Sequence, residues 1–135
     1  MIQVELNKII IDEKRQDQII VLRDKVTNRQ LPIIIGFLEA SSIKLKLAGI
    51  DPPRPMTHDL IALLIKGLGA SLSCLAIDRL VENTFHAKLE LTSKEGQKIS
   101  IDCRPSDGIA LAVRLQASIF VSEEIMNKAS LSEGA

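Results

Sequence analysis

Hydrophobic and polar residues alternate from the start of the chain, with Ile2, Val4 and Leu6 set against Gln3, Glu5 and Asn7. A period of two predicts a strand with one buried face. Two β-branched runs follow at 18–22 and 31–35, set off by charged turns at 12–17 and 23–29, and they predict two more strands. The period then lengthens. Ala40, Ile43 and Leu47 keep helical spacing within 37–47, and Gly49 supplies a stop. Three of the five prolines stiffen the loop at 49–56, after which Thr57 is expected to N-cap an apolar helix over 60–68. Beyond Gly67 and Gly69 come Leu72, Cys74 and Ala76, and then runs at 84–91 and 98–103 that predict a hairpin around the turn at 93–97. In that hairpin Phe85, Ala87, Leu89 and Leu91 share a face with Ile99, Ile101 and Cys103, leaving His86, Lys88, Asp102 and Arg104 on the other. A further helix is expected from about Ser106, a short strand at Phe120 and Val121, and a last helix over 123–128. This order of elements predicts an α+β fold. It is a single compact domain over 1–129, with a mixed or mostly antiparallel sheet flanked by about four helices and a flexible tail at 130–135.

Composition narrows the function. The 135 residues are 46% hydrophobic and 25% charged, which fits one globular domain and excludes disorder. The longest uncharged stretch is the eleven residues 67–77, well short of the roughly twenty needed to span a bilayer. Glu5 interrupts any leader-like apolar segment, so a cytoplasmic protein without membrane contact is expected. Cys74 and Cys103 make neither a disulfide framework nor a zinc site and are expected as small buried residues. Lys plus Arg and Asp plus Glu each number 17, and there is no Trp or Tyr. A global positive field and an aromatic stacking platform are both missing, so any contact with nucleic acid must be local.

Two phrases resemble one another: Arg54-Pro-Met-Thr-His-Asp59 and Arg104-Pro-Ser-Asp107, each followed by an apolar helix. Capping accounts for the hydroxyl and the carboxylate, since free N–H groups and the positive helix end favour both. It does not account for Arg-Pro or for His58. Two helix N-termini, each preceded by an arginine, are equally suited to receive anionic oxygens. At this point both readings stand.

The string Leu31-Pro-Ile-Ile-Ile-Gly36, then Glu39-Ala40, Arg54 to Asp59, and Asp102-Cys-Arg-Pro-Ser-Asp107 with Ile109-Ala-Leu111, resembles the bifunctional nuclease domain family. The resemblance implies a small α+β domain, usually a homodimer, that cleaves both DNA and RNA. Gly108 departs from it, since the family phrase usually has Ala after the second Asp; glycine costs little in a first helical turn.

Phosphodiester hydrolysis needs an activated nucleophile and stabilisation of charge on the phosphate, commonly helped by carboxylate-bound divalent metal. The expected catalytic set is His58, Asp59, Asp107 and Glu39, with His58 as the base. Asp102, Asp107 and Asp59 are the expected ligands for Mg2+ or Mn2+. Arg54 and Arg104 would clamp the phosphate, with Thr57 and Ser106 orienting these groups or capping. Plainer roles exist: Glu39 pairing with Arg54, Asp102 pairing with Lys88, His58 as a structural tie, and His86 as a surface residue. The alternative function is a non-catalytic oligomeric binding or regulatory module that captures an anion or an acidic partner at the two Arg-Pro helix ends. No G-x-S-x-G elbow, phosphate loop or H-E-x-x-H is present, so covalent serine catalysis and nucleotide hydrolysis of those kinds are not expected.

Overall fold

The computed structural model describes residues 1–12, 14 and 17–132. The chain runs β1 (Ile2–Asp12), β2 (Asp17–Asp24), β3 (Gln30–Ile35), α1 (Phe37–Leu47), α2 (Thr57–Gly67), β4 (Ser71–Val81), β5 (Thr84–Thr92), β6 (Lys98–Cys103), α3 (Pro105–Leu115), β7 (Ser118–Val121) and α4 (Glu123–Ala129). The seven strands form one sheet in the order β3-β2-β1-β7-β4-β5-β6. Every pairing is antiparallel except β4 with β7, which is parallel because α3 carries the chain across the sheet between β6 and β7. This is the expected α+β domain, with a mixed, largely antiparallel sheet and four helices.

Alternate strand positions supply the core: Ile20 and Leu22, Leu31 and Ile33, Leu75 and Ile77, Ala87 and Leu89, Ile119 and Val121 are all buried. They share one cluster with Ala40 and Ile43 of α1, Ala62 of α2, Ile109 to Ala112 of α3, and Ile125 and Met126 of α4. Three of the helices meet over the sheet, while α4 touches β3 and β4. There α3 packs against both α1 and α2, and that contact positions the site described below.

Several local expectations change. The strand near Leu72 continues to Val81 and turns at Glu82 and Asn83, both left-handed with φ 51° and 63°. Two successive positive φ values match the twist of a tight hairpin, and Asn tolerates them. Thr57 does not cap α2. Met56 holds the N-cap position, and its N–H donates to Asp59 Oδ2 at 3.0 Å. Ser106 does not cap α3 either, because Pro105 fills the first helical position and makes Arg104 the N-cap residue. The hairpin register pairs Ala87 with Cys103, Leu89 with Ile101 and Leu91 with Ile99, as expected. Ile99 and Ile101 are nevertheless exposed, since β6 is the edge strand. Cys74 and Cys103 are half-buried free thiols. Part of the expected turn at 12–17 and the end of the expected tail lie outside the described residues. Before that end, Leu131 exchanges two backbone hydrogen bonds with Gln30.

Candidate active site

Three helices meet where the sequence phrases converge. On α1, Glu39 and Ser42 stand three residues apart and so face the same way. His58 and Asp59 lie in the first turn of α2, and Asp107 lies in the first turn of α3 behind its N-cap Arg104. Asp107 and Arg114 are two helical turns apart on one face of α3.

These side chains form a continuous hydrogen-bonded chain. Arg104 binds Glu39 Oε1 through Nη1 at 3.0 Å and Asp107 Oδ2 through Nε and Nη2, both at 2.8 Å. Asp107 Oδ1 lies 2.8 Å from His58 Nε2, and His58 Nδ1 lies 2.7 Å from Ser42 Oγ. Arg114 donates to Ser42 Oγ at 3.0 Å, to Ala110 O at 3.0 Å and to Asp59 Oδ1 at 2.8 Å. One proton assignment satisfies every bond. Arginine can only donate, so Ser42 Oγ accepts from Arg114, and with Nδ1 unprotonated the Ser42 hydroxyl proton lies on the bond to that nitrogen. The ring proton then sits on Nε2 and is given to the Asp107 carboxylate.

Burial grades along this chain. The side chains of Arg114 and His58 are 7% and 10% exposed, while that of Arg104 is 66% exposed. Glu39 folds back over Gly36, where a Cβ would overlap the Glu39 carboxylate, so the glycine leaves the acid its place. The Arg114 hydrogen bond, with help from the Met56 N–H, holds the Asp59 carboxyl below the usual carboxylate range. The bonds to Asp107 raise Arg104 further above its already high value, so it stays charged.

A cavity of about 310 Å3 opens beside this chain, lined by Glu39, Ser42, Thr57, His58, Arg104 and Asp107 together with Leu38, Leu45 and Met56. Of the expected site residues, His58, Asp107, Glu39, Arg104 and Thr57 thus share one wall. Asp59 lines a separate cavity beyond Arg114 and is linked to the first through Arg114 and Ser42 and through the Met56 N–H. Ser106 lines a groove beside β3 instead. Arg54 is exposed in the loop before α2 and lines no part of the His58 cavity. Glu39 pairs with Arg104 rather than Arg54. Asp102 is exposed on β6 directly opposite Lys88, but the Lys88 ammonium lies 3.7 Å from Asp78. Asp59, Asp102 and Asp107 therefore stand in three different places, and among the described residues no three His, Cys, Asp or Glu side chains gather as a metal site. The cation that Glu39 and Asp107 share is the guanidinium of Arg104.

The sequence reading missed Ser42 and Arg114. Ser42 follows Glu39 at helical spacing, and Arg114 follows Asp107 at two turns, so helical spacing was the available signal.

An α+β domain that holds a histidine between a hydroxyl and a carboxylate, beside an exposed arginine, has the parts of an acid–base site. Comparison with known proteins agrees at the level of family: the chain belongs to the bifunctional nuclease domain family, whose profile matches residues 20–134. It is 39% identical over 129 residues to an uncharacterized protein of Mycobacterium tuberculosis, covering 96% of this chain and 76% of that one. It is 31% identical over 99 residues to bifunctional nuclease 1 of Oryza sativa, covering 70% of this chain and 29% of the rice protein. Bifunctional nuclease 2 of Arabidopsis thaliana is 31% identical over 108 residues, with 78% and 32% covered. The chain thus spans about a third or less of these two plant nucleases.

Proposed function

We propose that this domain is a nuclease of broad specificity that hydrolyses phosphodiester bonds in RNA and DNA at the His58 cavity. Family membership supports the reaction class, and one observation supports the place. His58 lies between Asp107 and Ser42 with its unprotonated nitrogen facing a hydroxyl, on a cavity wall that also presents the exposed Arg104. In this reading His58 Nδ1 takes the proton of the attacking group, and Asp107 holds the ring in its reactive tautomer and stabilises the imidazolium that forms. Arg104 offers the phosphate a planar cation at a helix N-terminus, and Glu39 holds that cation at the cavity. Mg2+ or Mn2+ would add charge neutralisation at the phosphate, and no step above depends on it. No helix among the described residues is long and apolar enough to cross a membrane. We place the protein in the cytoplasm and take it to act as a homodimer.

The test is cleavage of end-labelled single-stranded RNA and DNA by highly purified protein, with Mg2+, with Mn2+ and with chelator. Asp107→Asn and His58→Ala should each lower the rate by about a hundredfold, the scale of losing a general base or its orienting partner. Cleavage unaffected by both changes would place the activity elsewhere or in a contaminant. An alternative, anion capture without hydrolysis, predicts that Arg104→Ala abolishes binding of a short oligonucleotide while the wild type cleaves nothing.

A further inference from the structure

We propose that Ser42 is the nucleophile of this site, attacking phosphorus directly with His58 as its base. The inference takes its substrate class from the nuclease reading but rests on geometry that is independent of it. Both ring nitrogens of His58 are engaged, Nε2 with Asp107 and Nδ1 with Ser42. With Nδ1 as the acceptor, a water molecule reaches the basic nitrogen only by breaking the 2.7 Å contact to Ser42, whereas the Ser42 hydroxyl is already in place to give up its proton there. Ser42 Oγ also accepts from Arg114 at 3.0 Å, and the fixed cation favours the alkoxide character that develops as the proton leaves. A serine that only tied helices together would not need a buried cation on one side and a carboxylate-oriented imidazole on the other. Ser42 is half-buried and lines the cavity. Ser41 and Thr57 line the same cavity, but the ring nitrogens of His58 bond to Ser42 and Asp107 and to neither of them.

The step balances in two stages. Ser42 Oγ bonds to phosphorus, its proton passes to His58 Nδ1, and the bond from phosphorus to the departing sugar oxygen breaks, with His58 returning the proton to that oxygen. Water then attacks phosphorus, gives its proton to His58, and releases Ser42, which recovers the proton.

A fluorophosphonate tests the first stage without any nucleic acid: the Ser42 oxygen displaces fluoride and a stable adduct remains. Intact-mass spectrometry with peptide mapping should find one adduct, on Ser42. It should be absent in Ser42→Ala and should form at least about a hundredfold more slowly in His58→Ala, while thermal melts check that both variants fold. Should Ser42→Ala fail to fold, Ser42→Cys keeps the side chain's size, and iodoacetamide should alkylate that thiol in a His58-dependent way. Absence of an adduct on Ser42, or labelling indifferent to His58, overturns the proposal. Cleavage of RNA or DNA that persists without an adduct would leave the nuclease reading standing and show that water is the nucleophile. An adduct in a protein that cleaves no nucleic acid would sustain the nucleophile and remove the nuclease reading.

Discussion

Arg114 is the most committed side chain where the three helices meet, since its guanidinium ties α3 to Asp59 on α2 and to Ser42 on α1. Its side chain is 7% exposed, so loss of its carboxylate partner leaves a buried cation with only neutral acceptors. Asp59→Asn should therefore destabilise the fold by about 2 kcal/mol at neutral pH, the worth of a charge-assisted bond in a semi-buried place. The sign with pH follows from the depressed Asp59 carboxyl. A carboxyl whose folded value lies below its unfolded value, about 4, contributes its full stability above that unfolded value. The contribution is lost as pH falls through the folded value. Urea denaturation should therefore show a gap between wild type and Asp59→Asn that is widest near neutrality and closes in acid. A gap independent of pH would mean that Asp59 acts through packing rather than through its charge.

At the scale of elements, α3 depends on a close approach to the sheet. A Cβ on Gly108 would run into Leu75 Cδ1 and come within 3.1 Å of Leu75 Cδ2 and 3.2 Å of Cys103 Sγ. Leu75 is fully buried and cannot swing into solvent. Gly108→Ala should gain little helix propensity in the first turn, less than about 1 kcal/mol, and lose about 1–3 kcal/mol to overpacking, for a net loss. Leu75→Val in the same chain should recover much of it, measured as the shift in Tm of the double variant against each single one. A stabilising Gly108→Ala would show that β4 and α3 can separate at no cost. The same elements mark what the sequence could show. Period two located β1 and the 84–103 hairpin register, where β5 buries one face and β6 keeps the alternation at the exposed sheet edge. Period 3.6 located the helices. Helix starts were misplaced because Thr57 and Ser106 suit capping chemically, while Met56 and Arg104 took those positions once Asp59 bonded back to Met56 N and Pro105 fixed the first turn of α3. His58, Asp107, Glu39 and Arg104 could be listed as candidates, but which groups touch is a property of helix packing. Ser42 and Arg114 belong to the chain only because α1, α2 and α3 cross at one point.

For the whole molecule, the question is whether the site needs a second copy. The bonds that order it, from Glu39 through Arg104, Asp107, His58 and Ser42 to Arg114 and Asp59, all close within one chain. Dimerisation would then serve stability or substrate reach rather than complete the catalytic group. We propose α2 as the surface for it, since Leu60, Leu63 and Leu64 keep one helical stripe and are each just over half exposed. Burying what remains of each is worth about 1 kcal/mol, so three such residues contribute to an interface without being enough alone. A standard interface covers roughly 1,200 Å2 or more. Light scattering after gel filtration should report a dimer for the wild type and a monomer for Leu60→Lys with Leu64→Lys, with the circular dichroism unchanged. Because the hydrogen-bonded chain is internal, the monomeric variant should keep its rate on short oligonucleotides and lose ground only on long ones, where two cavities on one particle raise the effective concentration of substrate. A monomer inactive on every length would instead mean that a residue from the second copy enters the His58 cavity.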